Sequence, residues 1–192
     1  FVSDSGLVSI AGGKLTGYRK MAERTVDLIA KRMEDDYETE TKSCTTDKIP
    51  LCGNAFKKDK HVKSYISEVY EQLKLDDFVP YDAWYLVTTY GKQTETILET
   101  YKTLKDKDKY IRLVKAELHF GIDYEMIQNP IDFFVRRTGR LYFDIDSIKY
   151  LMEPILEEFR FIFKWSNEKK DSYRDTLNKM ISEHSDFSIT RE

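Results

Sequence analysis

Apolar side chains recur at spacings of three and four residues from about residue 59 onward, and this period constrains the fold more than any other feature of the chain. Such spacing places the apolar residues on one face of an α-helix, which must then pack against another element. The clearest stretch has apolar residues at Ile148, Leu151, Met152, Ile155, Leu156, Phe159, Ile162 and Phe163. Pro154 lies inside this stretch, so the sequence predicts a kink or a restart of the helix there.

Shorter stretches with the same period lie before and after it. They cover residues 62–73, 84–88, 97–104, 111–120 and, in a more polar form, 168–183. Gly91 and Gly121 follow two of them, where glycine commonly ends a helix. We therefore expect an all-helical domain of about six helices over residues 58–192, and a hydrophobic content of 41% is sufficient for its core.

The N-terminal part of the chain has a different pattern. A β-branched strand is predicted at Leu7–Ala11, followed by a Gly12-Gly13 turn and an amphipathic helix from about Thr16 to Met33. Glycines before a helix N-terminus let backbone N–H groups approach a phosphate or an electron-rich oxygen, and Lys14 adds a positive charge. The segment is not a Walker A loop, because Leu15 follows the lysine. An ordinary tight turn into a helix is the alternative.

Two separated stretches resemble one enzyme family. Ile10–Thr16 with Tyr18–Glu23 resembles a signature of FAD-dependent glycerol-3-phosphate dehydrogenases and the related α-glycerophosphate oxidases. Ala116-Glu117 with Asp132–Gly139 resembles the A-E…D-x-L-x-R-R-T pattern of their C-terminal helical domain, with Phe134 in place of the usual leucine. The two matches occur in the family's order and together extend from about residue 6 to residue 165.

The resemblance implies a mainly α fold, in which residues 1–33 are the last strand and helix of an α/β FAD-binding domain and residues 34–57 are a linker. It implies oxidation of sn-glycerol 3-phosphate to dihydroxyacetone phosphate with FAD as cofactor. Flavin contacts would come from Gly12, Gly13, Lys14, Leu15 and Thr16, and Lys14 would also contact substrate as the catalytic residue. No G-x-G-x-x-G turn is present, so we expect the C-terminal part of a longer enzyme, inactive by itself.

The resemblance leaves further properties open. The electron acceptor is either a quinone or oxygen. The full-length enzyme is expected in the cytoplasm, and peripheral association with a membrane is possible from the sequence. Formation of a homo-oligomer is also left open. Arg136 and Arg137 are expected to pair with carboxylates and helix carbonyls, with phosphate binding as the alternative. A helical protein-interaction module without catalytic role is the rival interpretation of the whole chain.

Composition excludes other classes of function. The 31 basic and 34 acidic residues give a net charge of −3 without a basic block, which argues against nucleic acid as a partner. Cys44 and Cys52 are interpreted as reduced thiols, with a disulfide across a hairpin as the alternative. Neither they nor the three histidines have the spacing of a zinc site, so no metal is expected.

Overall fold

The computed structural model describes residues 1–51, 56 and 58–185 of the chain. The chain divides into two compact units, Phe1–Ala55 and Phe56–Glu192. Cys52, Gly53 and the C-terminal tail beyond residue 185, all considered in the sequence analysis, lie outside the described residues.

Helices account for most of the second unit, and the first unit contains one long helix. The α-helices are α1 (Tyr18–Tyr37), α2 (Asp59–Leu73), α3 (Pro80–Tyr90), α4 (Thr94–Thr103), α5 (Lys109–Glu125), α6 (Arg140–Phe143), α7 (Ile145–Phe163) and α8 (Asn167–Ser185). Short 3-10 turns lie at Leu15–Gly17, Lys74–Asp76 and Gly91–Gln93, and Asp132–Arg137 form a π-helix. The expectation of a mainly helical chain is therefore confirmed.

The strand predicted at Leu7–Ala11 is not formed within the described residues. This segment makes an isolated antiparallel bridge between Val2 and Val8, supported by a hydrogen bond from Ser9 N–H to the Phe1 carbonyl at 2.8 Å. A two-stranded pairing without further strands is only marginally stable, which explains the short bridge. None of residues 1–51 is buried.

Helix α1 continues beyond the predicted end at Met33. The acidic residues that follow Met33 remain helical up to Tyr37, and the helix ends at Glu38, which has a φ of 53°. The Glu38 N–H donates to the Glu34 carbonyl, and the Thr39 N–H donates to the Met33 carbonyl. These bonds satisfy carbonyls of the last turn, so the helix is ended by a left-handed residue rather than by a change of composition.

In the second unit, the six helices of ten or more residues, α2–α5, α7 and α8, correspond to the six predicted apolar stretches. Helix α7 runs through Pro154 as one helix, so no restart occurs there. Proline removes one backbone hydrogen bond, but six side chains of α7 are buried and their packing offsets that loss. The buried set is Ile148, Leu151, Met152, Ile155, Leu156 and Phe159.

The core of this unit consists of two clusters that share helix α5. Leu113, Ala116 and Phe120 pack in the cluster formed with α2, α3 and α4. Val114 and Leu118 pack in the cluster formed with α7, α8 and the π-helix. Because α5 is covered on both sides, Glu117, which lies between these two sets of residues, is itself buried. No helix within the described residues is long and apolar enough to span a membrane.

Candidate functional site

The sequence-predicted site, Gly12–Thr16, lies on the surface of the first unit, and all five of its residues are exposed. Lys14 has an extended backbone with φ −96° and ψ 125°, and its carbonyl accepts a hydrogen bond from the Gly17 N–H at 3.0 Å. This bond closes the 3-10 turn at Leu15–Gly17, which leads directly into α1. The chain therefore bends at the glycines and enters the helix with Lys14 immediately before its first turn.

The two glycines have different surroundings. A Cβ added to Gly12 would lie 2.0 Å from Met21 Cε, so a side chain there would force Met21 to move. A Cβ added to Gly13 would have no atom within 4 Å. Gly12 thus allows close packing of the turn against α1, whereas Gly13 leaves an open face that a ligand can approach.

The open face carries hydrogen-bond donors. The first residues of a helix have N–H groups without intrahelical acceptors, and at this position they belong to Leu15 and Thr16. Lys14 forms no ion pair with any other described residue, whereas Lys20 and Arg19 both pair with Glu23 in the first turns of α1. Free amides and a free ammonium on one exposed turn suit an anionic or electron-rich group.

The second sequence motif builds a buried polar network rather than an open site. Glu117 on α5 accepts a hydrogen bond from the Tyr90 hydroxyl at 3.0 Å, and its other carboxylate oxygen lies 3.4 Å from Arg140 Nη2. Burial raises the pKa of Glu117, while the charge of Arg140 and the hydroxyls of Tyr85 and Tyr90 oppose that rise. This carboxylate connects α3, α5 and α6 at the junction of the two core clusters.

Sequence reasoning missed Arg140, because this arginine lies just after the recognised R-R-T-G pattern. The signal in the sequence was Gly139, because a glycine at this position indicates a sharp turn. In the structure Gly139 has a φ of 63°. That turn begins α6 and directs Arg140 toward Glu117, 23 positions earlier in the sequence.

The two arginines inside the motif have structural contacts. Arg136 pairs with Asp132 one turn earlier, and Arg137 Nη2 donates to the Glu125 carbonyl at the end of α5, at 2.6 Å. Asp132 also accepts hydrogen bonds from the Gln128 N–H and the Asn129 amide. These contacts are of the kind expected from carboxylate and helix-carbonyl pairing.

The sequence pattern of a protein family described as the C-terminal domain of alpha-glycerophosphate oxidase matches residues 44–170, more than half of the chain. The chain belongs to this family. The matched range contains both the buried Glu117 network and the π-helix. The family resemblance expected from the sequence is therefore confirmed.

Similar proteins extend the match toward the N-terminus. The aerobic glycerol-3-phosphate dehydrogenase of Bacillus subtilis is 34% identical over 94% of this chain and 33% of its own length. The alpha-glycerophosphate oxidase of Streptococcus pyogenes serotype M6 is 33% identical over 94% of this chain and 29% of its own length. The chain thus spans about a third of the length of the curated relatives it matches.

One solved structure is also similar across the whole chain. It is the glycerol-3-phosphate dehydrogenase from Bacillus halodurans complexed with FAD, which matches 100% of this chain and 38% of its own, with a TM-score of 0.83 and 33% sequence identity.

Proposed function

We propose that this chain is the C-terminal third of an FAD-dependent enzyme that oxidises sn-glycerol 3-phosphate to dihydroxyacetone phosphate. The observation that carries the proposal is the similarity of the entire chain, at a TM-score of 0.83, to a glycerol-3-phosphate dehydrogenase complexed with FAD. Dehydrogenases and oxidases of glycerol 3-phosphate both occur among the relatives. Both groups are named for the same substrate, so the proposal of glycerol 3-phosphate as substrate holds whichever electron acceptor the enzyme uses.

The exposed turn fits a flavin. Gly13 leaves its face open, Gly12 holds the turn against Met21, and the amides of Leu15 and Thr16 point out of a helix N-terminus. These donors would bind the electron-rich N1 and O2 edge of the isoalloxazine ring and favour negative charge there. When bound, FAD supplies N5 as the acceptor of the hydride from substrate C2.

Lys14 is the residue of this chain that we assign to the substrate. Its ammonium is exposed and has no acidic partner among the described residues, so it is available to an incoming anion. Two contacts are compatible with this position: the substrate phosphate or the C2 oxygen. A phosphate contact present equally in ground and transition states would affect mainly KM, whereas polarisation of the C2 oxygen would affect mainly kcat.

The electron acceptor and the location of the enzyme belong to the same proposal. A quinone acceptor would place the full-length enzyme in the cytoplasm and peripherally at a membrane, and an oxygen acceptor would release hydrogen peroxide. Peroxide yield with glycerol 3-phosphate in air separates the two acceptors. Light scattering of the full-length enzyme reports whether it is a homo-oligomer.

Flavin absorbance of the full-length enzyme tests the function directly. We expect a yellow protein whose flavin absorbance decreases when glycerol 3-phosphate is added without oxygen. The 192-residue chain alone should bind FAD weakly or not at all, because it has no pyrophosphate-binding G-x-G-x-x-G turn. A colourless full-length protein, or one whose flavin is not reduced by the substrate, would contradict the proposal.

A further inference from the structure

A cavity of about 440 Å³ lies in the helical unit between α3, α5, α7 and the turn that begins α6. This volume is within the range of small-molecule sites. Five aromatic side chains line it: Tyr81, Tyr85, Tyr110, Phe143 and Tyr150. Phe143 and Tyr81 are 89% and 64% exposed, so they form an accessible rim rather than part of a closed core.

The charges that line this cavity are mainly negative. Asp82, Glu117 and Asp144 contribute carboxylates, and Arg140 is the one cationic residue among the described residues of the lining. Arg140 is largely neutralised, because Glu117 lies at 3.4 Å and Asp144 at 3.6 Å from its guanidinium nitrogens. Its Nη1 also donates to Ser147 Oγ at 3.2 Å, and only 14% of its side chain is exposed, so little of the guanidinium is left for an anion. Asp144 remains mostly exposed.

We propose that this cavity binds a small organic cation, an ammonium group with apolar substituents. Aromatic faces attract cations through the negative potential of the ring, and they accept apolar substituents as well. The exposed carboxylate of Asp144 and the partly buried carboxylate of Asp82 add electrostatic attraction. A bare metal ion fits less well, because the described residues contain no group of three metal-ligating side chains.

The proposal is tested with choline and with 3,3-dimethylbutan-1-ol. The two molecules have the same shape, but only choline carries a positive charge. Each is titrated into the 192-residue chain, with backbone amide shifts recorded by NMR. We expect choline to bind about tenfold more tightly than the isostere, with shifts concentrated at the cavity residues. Inorganic phosphate serves as the anionic probe and should leave these amides unchanged.

Two substitutions locate the site. Tyr150→Leu removes one half-exposed ring and Asp144→Asn removes one exposed carboxylate, and each should weaken choline binding about three- to tenfold. Tyr124→Leu is the matched control, because Tyr124 is exposed on α5 but does not line the cavity. Four outcomes would overturn the proposal. They are equal affinity for choline and the isostere, no binding of choline at millimolar concentration, binding of phosphate in its place, and unchanged choline affinity in both variants.

Discussion

Arg140 and Glu117 form an ion pair inside the helical unit, with side-chain exposures of only 14% and 1%. A buried charge that loses its partner is strongly destabilising, whereas an exposed pair contributes little. This relationship explains how this chain accommodates an acidic residue in the core on α5: the carboxylate compensates a guanidinium supplied by α6.

Arg140→Met should therefore lower the free energy of unfolding by about 3 kcal/mol at pH 7, because it leaves Glu117 buried without its cation. Without Arg140 the pKa of Glu117 rises further, so the folded variant binds a proton more readily than the unfolded chain. The loss should shrink as the pH is lowered, since protonated Glu117 is tolerated in the core. Urea unfolding followed by circular dichroism at several pH values measures both effects. Arg136→Met is the control, since Arg136 is exposed, and a loss as large as that of Arg140→Met would contradict this explanation.

The pH dependence of the native protein should include a contribution from Glu158. His119 and Lys115 hydrogen-bond to this carboxylate, at 2.8 and 3.0 Å, and they hold its pKa below the usual value. The unfolded chain then takes up a proton first, so this stabilisation is present at neutral pH and is lost as the pH falls through about 4.3 and below. Glu158→Gln should unfold with a weaker dependence on pH in this acidic range. An unchanged pH profile in that variant, relative to Glu71→Gln on the surface of α2, would count against the contribution.

Lys14→Ala in the full-length enzyme should lower kcat/KM for glycerol 3-phosphate about ten- to a hundredfold, the usual effect of one lost charge-assisted contact, while FAD content stays nearly unchanged. Thr16→Ala should be mild, because the proposed flavin contact uses the backbone amide. Lys31→Ala, an exposed lysine on α1, is the matched control. Normal kinetics in Lys14→Ala would contradict the assignment of Lys14 to the substrate, and Lys14 would then be only a surface lysine beside a glycine turn.

Hydrogen exchange should differ sharply between the two units. Residues 1–51 include no buried side chain, so the amides of Leu7–Ala11 should exchange rapidly. Helix α7 has six buried side chains, and its amides should be among the slowest. This measurement also tests the predicted domain boundary near residue 58. Equal protection of the two segments would show that residues 1–33 are stabilised in a way that we did not anticipate.

The fold could be predicted where a long apolar period exists. Helix α7 and the other five long helices follow directly from spacings of three and four residues, because each must bury one face. The prediction of a strand at Leu7–Ala11 was wrong, because strand formation depends on partner strands that lie elsewhere in a sheet. The π-helix at Asp132–Arg137 has no distinctive spacing, so a pattern of apolar positions does not indicate it.

The candidate site also has a part that the sequence predicts and a part that it does not. The turn at Gly12–Thr16 is local, so its shape could be anticipated from the order of its residues, although its ligand contacts stay a prediction. Arg140 could not be assigned from sequence, because its partner Glu117 lies on another helix and only tertiary packing brings the two side chains together. Pairings of this kind depend on the whole unit rather than on a motif.

The π-helix accommodates one residue more than an α-helix over the same turn. Its last bond, from the Thr138 N–H to the Phe133 carbonyl at 3.0 Å, joins residues five apart instead of four apart. An ordinary α-helix with one residue fewer would therefore leave the segment in nearly the same direction. The placement of Arg140 against Glu117 then depends on Gly139, whose φ of 63° begins α6. During evolution, this stretch could lose one codon in frame and keep the buried charges together, whereas a side chain at position 139 would strain the backbone between them.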